Sequence, residues 1–180
     1  MSEPVIGRRY TALSIGLHWL MLLLFIGVYA TIELREFYLK GSELRESLKD
    51  WHYMLGISIF VLAWVRIAAR TLSSPPANEG RGRMLAMVVH LALYGLMIGM
   101  PLAGWLILSG EGKPIPFFGL ELPPLIGPNE ALADQAEEIH ELVGTIGYYL
   151  IALHTAAALA HHYILHDGVL ARMMPSRAGV

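Results

Sequence analysis

The chain has 180 residues, of which 55% are hydrophobic and 16% are charged, and its formal net charge is −2. About a quarter of the residues in a soluble domain are usually charged, so this composition excludes an ordinary soluble protein. The absence of cysteine excludes disulfides and thiolate metal ligands. From the high apolar and low charged content, we expect the chain to lie in a lipid membrane, and we expect no nucleic-acid partner.

Four apolar stretches follow one another along the chain, and each is long enough to cross a bilayer, which takes about 20 apolar residues. The first lacks a small-residue cleavage site after its apolar run, so we expect a retained helix and not a signal peptide. The predicted fold class is an all-α membrane protein, a four-transmembrane-helix bundle forming one domain. The domain covers residues 1–180, with spans at about 10–34, 51–70, 84–108 and 138–166.

The connections between the predicted spans differ in composition. Residues 35–50 are densely charged with both signs mixed, which is typical of an exposed loop or a surface helix. Residues 71–83 include SSPP and GRGR, which favour turns. Residues 109–136 contain several acids and prolines, and we predict a long loop with apolar stretches such as PFFGL. Pro101, inside the third span, is tolerated in a membrane helix with a kink.

The arginines and lysines favour one orientation, because cytoplasmic loops of membrane proteins carry an excess of these residues. Four crossings put both termini on the same side. With both termini in the cytoplasm, the inner cations are Arg8, Arg9, Arg66, Arg70, Arg81, Arg83, Arg172 and Arg177. The outer cations are fewer: Arg35, Lys40, Arg45, Lys49 and Lys113. Most of the acids then fall outside, which predicts an acidic outer face.

The fourth span holds most of the histidines in the chain. His140 and His154 are 14 residues apart, about 40° short of four whole turns, so both rings project from nearly one face of the helix. Their separation along the axis is ~21 Å, which puts one near each edge of the hydrocarbon core. Imidazole is costly in a membrane and usually functional there. We predict two metal centres stacked across the membrane; interhelical hydrogen bonding is the alternative.

The predicted topology gives each of the other histidines a depth. His52 shares the outer level with His140, so an outer site has one available pair. His18, His90 and His154 share the inner level, and depth leaves the inner pair open.

Two imidazoles suit a low-spin haem that transfers electrons, because no iron position stays open. A structural zinc site needs four protein ligands, and neither level supplies four histidines. Without a CxxCH motif, any haem would be bound non-covalently. Gly56, Gly144 and Ala158 each follow one of the histidines by four residues, on the same helix face. They provide either room for a flat macrocycle or close helix packing.

Other polar residues lie near the predicted inner level. Arg66 follows His52 by 14 residues and places a cation where haem propionates or a quinone carbonyl need one; the alternative is an arginine that extends to the interface. His161 and His162 lie near the inner surface, as proton donors, headgroup contacts or plain interfacial residues. Together with His166 they are candidates for an inner proton route.

Several stretches resemble the bacterial cytochrome b561 family, the di-haem, four-helix cytochromes of the inner membrane. The similarity covers nearly the whole length of the chain. The chain also resembles, more weakly, the cytochrome subunits of membrane formate dehydrogenases and hydrogenases. The stretches are SIGLHWLM, WHYMLGISI, VVHLALYGLMIGMPLAGW, PFFGLELPPL and IHELVGTIGYYLIALHTAAALAHHYILHDGVLARMMP.

The resemblance implies two haem b groups, an outer one between His52 and His140 and an inner one between His18 and His154. His90 is then left without iron, in a supporting or quinone-contacting role near the inner haem. The resemblance also implies electron exchange with ubiquinone in a bacterial inner (plasma) membrane. One activity in the family is oxidation of superoxide at the outer face.

Three functions follow as hypotheses. The first is a superoxide:ubiquinone oxidoreductase, in which the outer haem accepts the electron and quinone is reduced at the other end. Because superoxide is an anion, an acidic outer face disfavours it unless the outer cations form a local funnel. The second is a membrane-anchor cytochrome that passes electrons between a periplasmic redox partner and quinone. The third is a histidine-lined metal carrier.

Overall fold

The structure, a computed structural model, describes residues 9–73 and 82–174. Within these residues, four helices are long and apolar enough to cross a membrane. They are α1 (Ala12–Leu34), α2 (Glu43–Leu72), α3 (Arg83–Gly110) and α4 (Glu130–Tyr163). The smaller elements are two 3₁₀ turns (Arg35–Phe37 and Ala171–Met173) and a hairpin of β1 (Ile115–Phe117) and β2 (Leu120–Leu122). The predicted four-helix membrane bundle is confirmed.

The helices pack in chain order, α1 along α2, α2 along α3 and α3 along α4. The buried centre is small and consists of Met21, Ile59, Ala63 and Met97. Many large apolar side chains on the helix surfaces are exposed, as a bundle surrounded by lipid requires. We call the end with the hairpin the outer end of the bundle, and the end where the described chain begins at Arg9 and stops at Met174 the inner end.

Helix α2 begins earlier than predicted. The Ser42 hydroxyl accepts a hydrogen bond from the Arg45 backbone N–H at 3.4 Å and caps the helix. Glu43 and Glu46 in the first turn suit the positive end of the helix dipole. The helix thus begins eight residues before the predicted membrane span, which starts at residue 51. Residues 43–50, predicted as an exposed loop or a surface helix, are helical and extend α2 beyond its apolar part.

Helix α4 also begins earlier than predicted, because Asn129 caps it by accepting a hydrogen bond from the Leu132 N–H at 3.2 Å. The prediction of a loop up to residue 136 was wrong for residues 130–136. At the other end, α4 stops at Tyr163 and not at residue 166. His166 has a positive φ of 52°, which no helix accommodates.

The predicted loop of residues 109–136 also contains the hairpin. Its turn, Phe118 and Gly119, has φ values of 47° and 84°, and positive φ at both central residues is the pattern of a type I′ turn. The Phe118 N–H donates to the Met54 sulfur at 3.2 Å, and the Phe118 ring lies edge-on to Trp51. The hairpin therefore covers the outer part of α2.

Buried Ser109 fastens the chain that follows the hairpin. Its hydroxyl donates to the Trp105 carbonyl at 2.7 Å and accepts from the Leu125 N–H at 3.0 Å. The Trp105 indole N–H donates to the Pro123 carbonyl at 3.0 Å. The connection is thus held on the end of α3.

The chain after α4 turns back toward the start of α1. The Trp19 indole donates to the Met173 carbonyl at 2.9 Å, and Arg9 donates to the Met174 carbonyl at 2.7 Å. The C-terminal segment is therefore held against α1 at the inner end. The predicted SSPP and GRGR turns and the cations Arg8, Arg81 and Arg177 lie outside the described residues, apart from Ser73, Gly82 and Arg83 at their edges.

Gly147 lets α1 approach α4. A Cβ atom there would overlap the Tyr29 hydroxyl, which donates to the Gly144 carbonyl at 2.9 Å, and would meet both Leu96 methyl groups at 3.3 Å. We expect Gly147→Ala to lower the free energy of unfolding by about 1–3 kcal/mol, as overpacking usually does. Thermal unfolding in detergent measures this. Gly95→Ala is the control, because nothing described lies within 4 Å of its Cβ position; equal melting temperatures would contradict the packing.

Arg45 is nearly buried and holds the connection between α1 and α2. Its guanidinium donates to the carbonyls of Arg35 at 2.7 Å and Tyr38 at 3.0 Å, and to the Glu36 carboxylate at 3.0 Å. The hydrogen bond from Arg45, helped by the charges of Arg45 and Arg35, lowers the pKa of Glu36.

We expect Arg45→Met to cost about 1–3 kcal/mol of stability, because it leaves two carbonyls without their buried donor. Lys40→Met, at an exposed position in the same connection, should cost little. Since the folded pKa of Glu36 is lowered, its contribution is present above about pH 4.5 and is lost as the pH falls through the folded value. Thermal unfolding against pH should show this loss in the wild type and in Lys40→Met, and a smaller loss in Arg45→Met.

Candidate functional site

The outer end contains one pair of facing histidines. His52 of α2 and His140 of α4 have ring centroids 6.2 Å apart, with ring planes at 68°. Both rings lie inside the bundle on the two helices that begin at this end. The structure thus brings together the two histidines that sequence reasoning placed at the outer level.

The tautomer of His52 is set by α1. Its Nδ1 lies 3.0 Å from the Val28 carbonyl, which can only accept, so Nδ1 carries the proton and Nε2 has a free lone pair. An imidazole that binds a metal commonly donates its second N–H to a carbonyl in this way. The arrangement therefore prepares His52 to act as a ligand through Nε2.

His140 is supported differently. Its Nδ1 is buried and has no hydrogen-bond partner among residues 9–73 and 82–174. Its ring lies against Gly104 of α3, where a Cβ atom would be 3.5 Å from Cε1. Gly104 thus leaves space for the ring, which sequence reasoning had missed because the glycine precedes His140 by 36 residues and only the fold brings them together.

A cavity of about 420 Å³ surrounds the outer pair. Its wall is mostly apolar, with tyrosines and a few charged side chains. Gly56 lines the cavity, and no described atom lies within 4 Å of the position of its missing Cβ. This glycine therefore leaves open space and does not serve close helix packing. The charged or phenolic wall residues are Tyr29, Glu33, Arg35, Tyr53, Glu137, Glu141 and Tyr148.

Three histidines meet at the inner level. The ring centroid of His154 lies 6.2 Å from that of His18 and 5.5 Å from that of His90, with planes at 76° and 71°. The His18–His154 spacing equals that of the outer pair. The structure therefore brings together all three residues that depth left open, and His154 contacts both of the others.

The distance between the two ring centroids shows whether a histidine pair could bind one haem iron from opposite sides. Two imidazoles that bind one metal ion from opposite sides, with bonds of about 2 Å, place their ring centroids roughly 6.3 Å apart. The two pairs at 6.2 Å fit this requirement. The 5.5 Å between His90 and His154 is too short for it. Haem needs two such ligands, whereas within the described parts of the chain no three or more histidine, cysteine or carboxylate side chains are arranged so that they could hold a single metal ion.

Arg66 places a cation beside the inner pair. One guanidinium nitrogen lies 3.4 Å from Nδ1 of His18, and the other is buried without a partner among the described residues. A guanidinium only donates, so this contact requires an unprotonated Nδ1. A metal at Nε2 would leave the proton on Nδ1, and Arg66 would then direct its donors to an anionic group such as a haem carboxylate.

The histidines beyond His154 lie at the inner end. His161 pairs through Nδ1 with the Asp167 carboxylate. His166 donates from Nδ1 to the Ile164 carbonyl at 3.0 Å. The His162 ring packs on Tyr163. Burial raises the pKa of Asp167, but the hydrogen bonds from His161 and the Val169 N–H outweigh it and lower the pKa overall.

The outer cations form only a small part of the basic funnel that a superoxide site would need. Arg35 lines the cavity, and it is paired with Glu36 at 2.9 Å. Arg45 is bonded to the connection between α1 and α2. Lys49 pairs with Glu46, and Lys113 pairs with Glu111 at 2.9 Å. Lys40 is exposed in the turn before α2. Of these five cations, Arg35 is the one that lines the cavity.

The fold and the site define a class of protein. A membrane bundle with opposed histidines at two depths, and no cysteine, is the architecture of a membrane cytochrome that binds haem without covalent attachment. The model of the family described as prokaryotic cytochrome b561 matches residues 9–176. The chain belongs to the prokaryotic cytochrome b561 family, haem-binding electron-transfer proteins, and is a multi-pass protein of the bacterial inner membrane.

Individual relatives agree with this assignment. The protein named probable superoxide oxidase CybB from Yersinia pestis is 39% identical, over 96% of this chain and 99% of the relative. Cytochrome b561 homolog 1 from Escherichia coli (strain K12) is 36% identical, over 94% of this chain and 99% of the relative. Cytochrome b561 homolog 2 from the same organism is 31% identical, over 97% and 95%.

Proposed function

We propose that this chain binds two haem b groups and carries electrons between the outer and inner ends of the bundle. His52 and His140 would hold the outer haem, and His18 and His154 the inner haem. The observation that supports this best is the common 6.2 Å ring spacing of the two pairs. Bound haem would supply a one-electron couple, and two histidine ligands for each haem would leave no iron position for another ligand.

The proposed reaction is superoxide:ubiquinone oxidoreduction. Two superoxide anions each lose one electron and leave as oxygen; the two electrons and two protons convert one ubiquinone to ubiquinol. The 39% identity to the protein named probable superoxide oxidase CybB supports the choice of donor. On this proposal the electrons enter at the outer pair and leave at the inner pair.

The inner end supplies the polar groups that quinone chemistry needs. Arg66 has donors for a haem carboxylate or a quinone carbonyl, and His90 lies against His154. His161 contacts the Asp167 carboxylate at the same end of the bundle. We assign these three residues, Arg66, His90 and His161, to haem-propionate or quinone contacts.

We infer that both termini face the cytoplasm, so that the outer end faces the periplasm, and that residues 1–180 form one domain. Of the described cations, Arg9, Arg66, Arg70, Arg83 and Arg172 belong to the inner half of the bundle or the segments beyond it. Cytoplasmic loops favour such cations.

Quinol formation by the purified protein tests the proposed reaction. A superoxide-generating system supplies the donor, and a short-chain ubiquinone in detergent is the acceptor. We expect quinol to form only with the haem-loaded protein, and superoxide dismutase to suppress it. His140→Ala should stop the reaction, whereas His166→Ala should not. Quinol formation at the rate of a protein-free control would contradict the proposed reaction.

The alternative function is a membrane anchor for a periplasmic redox partner. Asp134, Glu137, Glu138 and Glu141 surround a concavity on the outer part of α4, which suits a basic partner. Co-purification of such a partner in a fixed ratio, together with slow superoxide-driven quinone reduction, would favour this alternative.

A further inference from the structure

We infer that the seam between α1 and α4 is the route by which haem enters and leaves the outer site, and that Tyr29 and Tyr148 form a gate in that seam. This inference rests on the haem ligation proposed above. It concerns how a rigid, flat macrocycle reaches two histidines that face each other inside a helix bundle. The macrocycle needs an opening in the side of the bundle, and three observations point to an opening between α1 and α4.

The first observation is that the helices do not enclose the outer cavity equally tightly. Backbone packing runs in chain order from α1 to α4, whereas the side of the bundle between α4 and α1 is closed mainly by side chains in the described chain. Packed helices lie about 8–10 Å apart, and separating them breaks many contacts at once. Exposed side chains change rotamer within nanoseconds without such a loss. The seam between α1 and α4 is therefore the side that opens most easily.

The second observation is that the exposed part of the cavity wall lies along this seam. Every wall residue that α2, α3 or the hairpin contributes is buried or partly buried. The exposed wall residues belong to the two helices that flank the seam: Glu33 of α1, and Glu137, Glu141, Thr145 and Tyr148 of α4. The four residues of α4 are spaced by three or four positions, so they share one helix face. The cavity therefore opens to its surroundings between α1 and α4.

The third observation is a pair of hydrogen bonds that cross the seam in opposite directions. The Tyr29 hydroxyl of α1 donates to the Gly144 carbonyl of α4 at 2.9 Å. The Tyr148 hydroxyl of α4 donates to the Glu33 carboxylate of α1 at 2.6 Å. The two tyrosine rings lie against each other, with centroids 4.1 Å apart, and both line the outer cavity. We call these two residues the tyrosine gate, because together they close the seam beside the cavity.

The gate can open while the histidine pair stays in place. Tyr148 is 40% exposed, so its ring can turn out of the seam, and an apolar ring with one polar tip suits the edge of a membrane. Glu33 is exposed and can exchange the phenol for water. His52 and His140 take part in neither of the two hydrogen bonds. Opening the gate therefore clears a path to both ligands without moving them.

A gate has a kinetic signature that an ordinary contact with bound haem lacks. Weakening a gate speeds entry and exit together, because both pass through the same opening. Weakening a contact that exists only when haem is bound speeds exit alone. Removing one hydrogen bond of the gate should speed both processes about tenfold, since one such bond changes an equilibrium constant by about that factor.

Two rates test the gate: haem transfer to excess apomyoglobin measures exit, and uptake of added haemin by the haem-free chain in detergent measures entry. In a His154→Ala background, which should keep only the outer haem, Tyr29→Phe and Tyr148→Phe should each speed both processes about tenfold. Tyr163→Phe, at the exposed end of α4, should change neither rate. In a His140→Ala background, which should keep only the inner haem, the gate variants should leave both rates unchanged. The two-haem protein gives the same test if a background does not fold, because only one of its two exit phases should respond.

A variant of opposite sign completes the test. Thr145→Trp places a large ring at the exposed edge of the seam and should slow entry and exit together. Thr155→Trp is the matched control: each threonine hydroxyl donates to the carbonyl four residues before it, but Thr155 does not line the outer cavity. A change in exit alone, or equal rates in all variants, would overturn the gate while the ligation stands. Well-folded His154→Ala protein without haem would instead overturn the proposed ligation.

Discussion

Replacing His140 with alanine should remove one of the two haems and leave the other in place. The outer site has no other histidine at its level, so the loss of one imidazole leaves His52 alone facing the cavity. The inner pair, 14 residues further along α4 and ~21 Å deeper, does not touch the changed position. We expect the haem-to-protein ratio to fall from about two to about one.

The matched control is His166→Ala, which removes a histidine that lies beyond α4 and bonds only to the Ile164 carbonyl among the described residues. This variant should keep both haems. A pyridine haemochrome assay gives the ratio, and circular dichroism shows whether the helices remain. If well-folded His140→Ala protein kept both haems, the assignment of the outer ligand would be wrong.

Filling the space beside Gly56 should have a similar effect on the outer haem without touching a ligand. Gly56 lies one turn after His52 and faces a cavity of about 420 Å³, and a Cβ atom at this position would have no described atom within 4 Å. A leucine there would extend into this cavity and occupy the room that the macrocycle needs. We expect Gly56→Leu to lose the outer haem almost completely.

This variant separates the two roles that a small membrane residue can have. If Gly56 served close helix packing, leucine would lower the stability of the haem-free protein, as Gly147→Ala should. If it leaves room for haem, the haem-free protein should melt at the wild-type temperature. Gly16→Leu, at an exposed position of α1 with open space around it, is the control and should keep both haems. Full haem occupancy in Gly56→Leu would rule out the macrocycle on this face.

The sequence was sufficient to predict the level of each histidine. A helix has a fixed rise and rotation per residue, so the 14-residue step between His140 and His154 already placed them on one face at two depths. The apolar stretches fixed the number of crossings, and depth alone selected His52 as the facing residue at the outer level. In the structure, the ring centroids of His52 and His140 are 6.2 Å apart.

The helix starts were not predicted because hydropathy detects only the part of a helix that lies in lipid. The first turns of α2 and α4 are charged and extend past the apolar core, so they had the composition of a loop. Their caps, Ser42 and Asn129, each followed by an acidic residue, are signals that could have located both starts. The hairpin was missed because its turn places Phe118, and not only a glycine, at positive φ.

The supporting contacts of the sites could not be predicted from the sequence. The partner of His52 is a backbone carbonyl of α1, and any residue at position 28 would supply it. Gly104 and Tyr29 reach α4 only through the way the helices pack. At the inner level, periodicity left three histidines. The resemblance to the family selected His18 as the partner of His154, and the ring spacings of 6.2 Å for His18 and 5.5 Å for His90 support the same proposal.

The haem content and spin state of the purified chain test the central proposal most directly. Two histidine pairs at the same spacing predict two haem b groups per chain, both six-coordinate and low-spin, with no binding of carbon monoxide by the reduced protein. A single haem, no haem, or a high-spin haem that takes up carbon monoxide would contradict it.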